Sequence, residues 1–305
     1  MMNKPIVETN HLTKTHGAVK SVNKVDLHVL EGEIYGFLGP NGAGKTTTLK
    51  MLLGLIKPTE GEIHILGKDL RKYRSSILQH TGSLVESPSY YGHLTGLENM
   101  LVMKRLRDAP MENVNEALRI VRLEKQKDKK VNQYSLGMKQ RLGMAMALLS
   151  FPKLLILDEP TNGLDPAGIG EMRELIKSLP SRYGMTILLS SHLLSEMEQM
   201  ATSVGIINDG NLLYQGSMDD LRQKSRSTIQ LKTEDDISAQ QLLERHGYHL
   251  SLEASRITFA NNGDAEVAKI NKRLIDNDIM VTRIEEKELS LEDIFLELTG
   301  KGRNL

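Results

Sequence analysis

The stretch "EIYGFLGPNGAGKTTTLKMLLGLI", Glu33–Ile56, decides the fold. It passes from an apolar strand through a glycine-rich turn into residues with helical spacing. The turn "GPNGAGKT", Gly39–Thr46, has the spacing G-x-x-x-x-G-K-[ST]. Glycines at these positions let backbone N–H groups turn inward on phosphates, and the following helix N-terminus adds partial positive charge. Gly39, Pro40, Asn41, Gly42, Ala43 and Gly44 make the cradle, with Thr47 continuing it into the helix. Lys45 reaches the β- and γ-phosphates, and the Thr46 hydroxyl ligates Mg²⁺. The helix is expected to run on until just before Lys57-Pro58.

"KLLILDEP", Lys153–Pro160, supplies a second half. A short apolar run of this kind reads as a buried parallel strand, and it delivers Asp158 to its carboxyl end, where α/β sheets bind ligands. Asp158 then holds Mg²⁺ through water, and Glu159 beside it polarises the attacking water. Together the two segments predict a nucleoside triphosphate site in an α/β protein.

The remaining chain is organised around them. Residues 5–38 read as short strands with turns, "VNKVDLHVLEGE" among them, and "GEIHILGKDL" reads as a hairpin-type strand. Helical periodicity runs from about Leu94 to Ala147. "AGIGEMRELIKSLPSRYG" and "LLSEMEQMA" are further helices, separated by the strand "MTILLSSH", and "SVGIINDGNLLYQG" is strand, turn and strand. A polar stretch, "SMDDLRQKSRS", reads as a linker helix. Beyond it the pattern is β-α-β-β-α-β, the order of a small ferredoxin-like module.

Composition bounds the partners. Lys+Arg and Asp+Glu both number 39, so no net field draws the chain to nucleic acid. The absence of cysteine excludes disulfides and thiolate metal sites. The N-terminus lacks a signal-peptide core, and no window approaches the roughly 18 apolar residues of a membrane helix. A soluble chain is expected, with any membrane role exercised through a partner.

Three further segments lie in order around the two halves of the site: "YSLGMKQR" (Tyr134–Arg141), "NGLDP" (Asn162–Pro166) and "LLSSH" (Leu188–His192). The ordered set resembles the ATP-binding subunits of ABC transporters over residues 5–225, with a helical subdomain at about 88–150, leaving 226–305 as a C-terminal accessory or regulatory domain. The resemblance implies a P-loop ATPase of α/β class with an antiparallel β subdomain, the helical subdomain, and the ferredoxin-like α+β module appended. Ser135 and Gly137 match the signature serine and second glycine that face the γ-phosphate of an ATP held by the other subunit. Leu136 and Met138 depart from the commoner L-S-G-G-Q. Asp165 matches the loop that crosses the dimer interface, and His192 the switch histidine at the γ-phosphate. In "KTHG", His16 takes the place of the family's adenine-stacking aromatic.

The same resemblance implies a homodimer with ATP sandwiched between Gly39–Thr46 of one copy and Ser135–Gly137 of the other, and a monomer that hydrolyses slowly. It also implies a separate transmembrane permease, which makes the chain peripheral on the cytoplasmic face of a bacterial membrane. Glu86, in "GSLVESPSYYGHLT", stands where most of the family carries a glutamine touching Mg²⁺ and the membrane subunit. A carboxylate there is a harder Mg²⁺ ligand. With this loop, "SLGMKQRLG" and the tail "LSLEDIFLELTG", the likeness narrows to transporter ATPases that protect Gram-positive bacteria from bacitracin and lantibiotics. Leu291, Ile294, Phe295 and Leu298 share one face of the tail helix. Two rivals are a soluble regulatory or mechanical ABC protein without a membrane partner, and a binding module with vestigial hydrolysis. The single ATP site and the absence of a long coiled coil or basic stripe oppose the first. Intact Lys45, Asp158, Glu159 and His192 oppose the second.

Overall fold

A computed structural model of the chain describes residues 4–86, 89–223, 228–253, 256–287 and 291–298. The chain divides into two compact units, Met1–Met218 and Asp219–Leu305.

In the first unit β1 (Pro5–His16), β2 (Val19–Val25) and β3 (His28–Leu30) precede β4 (Ile34–Leu38), the strand that feeds the glycine-rich turn. The expected single segment Val22–Glu33 is two strands. The Thr9 hydroxyl donates to Val25 O and accepts from Leu27 N, both at 2.8 Å, pinning a bend between them. Helix α1 (Lys45–Leu52) ends four residues before the proline-adjacent stop that the sequence predicts. Gly54, at φ 63°, turns the chain so that its N–H reaches Met51 O and Leu55 N–H reaches Lys50 O. That left-handed cap closes the helix before the proline can act.

Next come β5 (Glu60–Ile65), β6 (Lys68–Asp69), α2 (Leu70–Gln79) and β7 (Thr81–Leu84). The helical segment is α3 (Gly96–Arg107), α4 (Met111–Ile120) and α5 (Leu136–Leu148). Thr95 and Glu98 start α3 with reciprocal bonds, Thr95 N to Glu98 Oε2 at 2.7 Å and Glu98 N to Thr95 Oγ1 at 3.1 Å. The unit closes with β8 (Leu154–Asp158), α6 (Pro166–Tyr183), β9 (Thr186–Ser191), α7 (Leu194–Met200), β10 (Ser203–Asn208) and β11 (Asn211–Ser217).

These strands form two sheets. One is antiparallel, in the order β2-β1-β5-β6 with β3 also on β1; the other runs β11-β10-β4-β9-β8-β7. Within the second, β10, β4, β9, β8 and β7 are mutually parallel and only β11 is antiparallel. Every residue of β4, β8 and β9 is buried, and each strand carries a continuous apolar stretch, with Thr186, Ser190, Ser191 and Asp158 as buried polar groups at the strand ends. Val7, Ile65, Phe37, Leu49, Met51, Ile156 and Leu188 belong to one core joining both sheets through α1. The helix behind the phosphate turn is therefore clamped on both sides.

The second unit begins within α8 (Met218–Gln223) and continues with β12 (Thr228–Thr233), α9 (Asp236–Arg245), β13 (Ser251–Glu253), β14 (Arg256–Ala260), α10 (Asp264–Ile275), β15 (Val281–Lys287) and α11 (Leu291–Leu298). Its sheet is wholly antiparallel in the order β13-β14-β12-β15. Ile229, Leu231, Ile257 and Phe259 meet Leu243, Ile270 and Leu274 of the two helices in a core of its own. Leu291 and Ile294 of α11 are buried and Phe295 is half-buried, while the Leu298 side chain, Ser290 and Gly300 lie outside the described residues.

Candidate ATP site

Strand order brings Gly39–Thr46, Asp158, Glu159 and His192 to one edge of the parallel sheet. β4 ends at Leu38, directly before the cradle, β8 at Asp158, and β9 at Ser191, next to His192. The three strands are neighbours, so all three loops leave the same edge together.

A cavity of about 360 Å³ opens there. Asn41, Gly42, Gly44, Lys45, Thr46 and Thr47 line it with Glu159 and His192, and so do Ser21 and Asn162. Lys45 is buried, 6% exposed, and its Nζ donates to Gly39 O at 2.7 Å and Pro40 O at 3.2 Å. The same nitrogen lies 3.4 Å from Glu159 Oε1. His192 Nδ1 lies 2.8 Å from Glu159 Oε2; with a proton on Nδ1 the ring donates to the carboxylate. Glu159 therefore sits between a fixed cation and an imidazole, with a carboxylate able to accept a proton from water.

Thr46 Oγ1 donates to Asp158 Oδ2 at 2.9 Å, and Ser190 Oγ donates to Asp158 Oδ1 at 2.6 Å. Among the described residues no group of three His, Asp or Glu side chains forms a metal cage. A hydroxyl and a carboxylate are hard oxygen donors, and two of them suit a cation that takes its other ligands from phosphate or water, as Mg²⁺ does. Thr46 and Asp158 fit that ion.

Two glycines are required by their surroundings. A Cβ on Gly39 falls 2.3 Å from Ile207 O of β10, and one on Gly44, at φ 107°, falls 2.3 Å from Ser21 O. In both cases the obstacle is backbone and cannot rotate away. Gly39→Ala is expected to destabilise the first unit by about 1–3 kcal/mol, the usual range for overpacking. A thermal unfolding scan that matches the wild-type midpoint would contradict this.

Ser135 and Asp165 act locally as helix caps. Ser135 Oγ accepts from Met138 N at 3.3 Å at the start of α5, and Asp165 Oδ1 accepts from Gly168 N at 2.9 Å at the start of α6. Ser135, Gly137 and Asp165 line a second cavity of about 420 Å³, and no described residue lines both cavities. His16 is exposed at the end of the β1–β2 hairpin and is not among the residues lining either cavity. Glu86, at φ 61°, is also outside both linings; its Oε1 is held by Lys50 Nζ of α1 at 2.5 Å. A larger crevice of about 460 Å³ beside α4 and α6 is less suited to phosphate. Its lining carries the carboxylates of Glu171 and Glu174, and three of its arginines are already paired, Arg119 with Glu116 and Arg122 and Arg141 with Glu171.

Sequence reasoning missed Ser190, Ser21 and Asn162. Ser190 is the most consequential, since its Oγ also accepts from Glu159 N at 3.0 Å. It pairs in register with Asp158 across two parallel strands. The available signal was its position two residues before His192, in "LLSSH".

Comparison with known proteins agrees with this geometry. The ABC transporter family model matches residues 22–162. The bacitracin transport ATP-binding protein BcrA of Bacillus licheniformis is 46% identical over 302 residues, covering 97% of this chain and 98% of that protein. The lantibiotic transport ATP-binding protein SrtF of Streptococcus pyogenes is 42% identical over 214 residues, covering 70% of this chain and 92% of its own. Among solved structures, a dimeric ATP-binding cassette in a post-hydrolysis state bound to ADP and Pi superposes with a TM-score of 0.62 at 27% identity, covering 70% of this chain and 98% of that one. No described helix is long and apolar enough to cross a membrane. With the cradle, the strand-end carboxylates and the histidine on one edge of a parallel sheet, and a relative 46% identical over 97% of this chain, the chain belongs to the ATP-hydrolysing, ATP-binding proteins of the ABC transporter family.

Proposed function

We propose that this chain energises the export or displacement of peptide antibiotics of the bacitracin or lantibiotic kind. The observation that carries the reading is its 46% identity, over 98% of that protein's length, to a bacitracin transport ATP-binding protein. Two copies close on two ATP molecules, each held by Gly39–Thr46 of one copy and Ser135–Gly137 of the other. In support, Ser135, Gly137 and Asp165 line a cavity that shares no residue with the one lined by Lys45. Thr46 and Asp158 would hold Mg²⁺, which when bound would offset the charge of the phosphates. Glu159 takes a proton from the attacking water, His192 and Lys45 contact the γ-phosphate, and Asp165 crosses to the other copy. His16 lies toward the adenine. Opening and closing drives a separate membrane-spanning permease, which keeps the chain on the cytoplasmic face of the membrane.

The C-terminal module is read as ferredoxin-like, on the strength of its β-α-β-β-α-β order and antiparallel sheet with the first strand central. Glu86 sits at the junction of Mg·ATP and permease, and leaves Lys50 when it engages the site. Glu86→Gln is expected to keep turnover within about threefold, since an amide oxygen still serves, and Glu86→Ala to lower it about tenfold or more. Equal rates in all three chains would remove Glu86 from the mechanism.

The function is tested by deleting the gene in its own host and restoring it from a plasmid. Tolerance to a panel of cell-wall peptide antibiotics is then measured. A rise that disappears in Glu159→Gln supports the reading. Unchanged tolerance to the whole panel, with ATP turnover intact, defeats it.

A further inference from the structure

Glu196, in the first turn of α7, lies outside the ATP cavity yet ties together the segments that build it. Its Oε2 accepts from Thr161 Oγ1 at 2.7 Å and from Ser191 Oγ at 3.2 Å. Thr161 stands two residues after Glu159 and four before Asp165, and its carbonyl accepts from Leu164 N at 3.2 Å. Ser191 immediately precedes His192; its hydroxyl accepts from Leu193 N at 3.0 Å, bracketing the histidine in a tight turn. The Ser191 carbonyl also accepts from Gly39 N at 3.3 Å, at the start of the cradle. Thr161 is 3% exposed and Ser191 1%. Buried hydroxyls need acceptors, and here one carboxylate oxygen serves both.

We infer that Glu196 is a positioning residue for hydrolysis, holding the Thr161–Asp165 loop and the His192 turn as one unit. Release of that oxygen leaves the cradle intact and frees two loops to move independently, the one after Glu159 and the one carrying His192. Binding of ATP is then preserved while the alignment of the groups around the γ-phosphate is lost. Such a change lowers kcat with little effect on KM.

The test uses the full-length chain with Mg·ATP. Glu196→Ala is expected to lower kcat roughly tenfold, the effect of losing a charge-assisted hydrogen bond, with KM for ATP within about twofold of wild type. Glu196→Gln is expected to restore most of the rate, because both bonds converge on a single oxygen that an amide retains. Thr161→Val, nearly isosteric, is expected to reproduce the alanine defect. The double variant Glu196→Ala/Thr161→Val should fall no further than either single one. If Glu196→Ala folds poorly, the glutamine and valine variants decide the matter alone. Wild-type rates in Glu196→Ala or Thr161→Val, a glutamine variant as slow as alanine, or losses that multiply in the double variant would each overturn the inference. It rests on the roles proposed for His192 and Asp165. Those fail separately, if His192→Ala and Asp165→Ala leave turnover unchanged.

Discussion

Glu159→Gln slows ATP turnover by about 10²–10⁴-fold, the contribution of a positioned general base, and leaves ATP binding in place. The side chains have nearly the same size, so the cavity keeps its shape. The amide cannot accept a proton from water, and it removes the negative charge 3.4 Å from the Lys45 ammonium. The one remaining oxygen can accept from His192 Nδ1, now 2.8 Å from the carboxylate, only by turning the amide NH2 toward Lys45. None of these changes touches the cradle backbone, so nucleotide still binds. With hydrolysis blocked, two copies are expected to stay together around ATP. Phosphate release and size-exclusion chromatography with and without Mg·ATP measure the two halves of this result. Wild-type turnover would remove Glu159 from its role.

Lys45→Ala fails differently. Its ammonium bridges Gly39 O and Pro40 O, so it holds the loop in its cradle form as well as supplying charge. Truncation removes both functions and leaves the Glu159 carboxylate without its cation. Turnover is expected to fall by at least about 10²–10³-fold, as for loss of one preorganised contact to developing charge. ATP affinity falls with it, unlike in Glu159→Gln. Titration with a fluorescent ATP analogue separates the two variants. Affinity within twofold of wild type in Lys45→Ala would contradict the geometry.

What was legible in the sequence was what is contiguous along the chain. Gly39–Thr46 carries its spacing, its strand and its helix in one segment, and Asp158-Glu159 follows an apolar run that only a buried strand explains. The order of the motifs then pointed to the family. What escaped was contributed by pairing across the sheet. Ser190 reaches Asp158 through strand register, and Ser21 presents its carbonyl to Gly44 from another sheet. Helix α2 escaped because only Leu70 and Ile77 are buried in a run dominated by polar residues, so its period is faint. Its start is set instead by Asp69, whose carboxylate accepts from Arg71 N at 2.8 Å. The early end of α1 is set by Gly54, at φ 63°, whereas the sequence expectation rested on Lys57-Pro58 alone. Lys50 and Glu86 are 36 residues apart, and nothing local announces their pairing.

Glu159 has φ 49°, in the left-handed region that a non-glycine side chain disfavours. Its N–H is held there by Ser190, through the carbonyl at 3.2 Å and the hydroxyl at 3.0 Å. Glycine would occupy that backbone without the steric penalty, which is about 1–2 kcal/mol for other residues. Durability and catalysis are therefore opposed at this one position. A laboratory lineage selected for heat resistance alone is drawn toward glycine at 159 and loses its chemistry on the way. A lineage required to keep hydrolysing retains the strain, and must seek its added stability elsewhere in the chain.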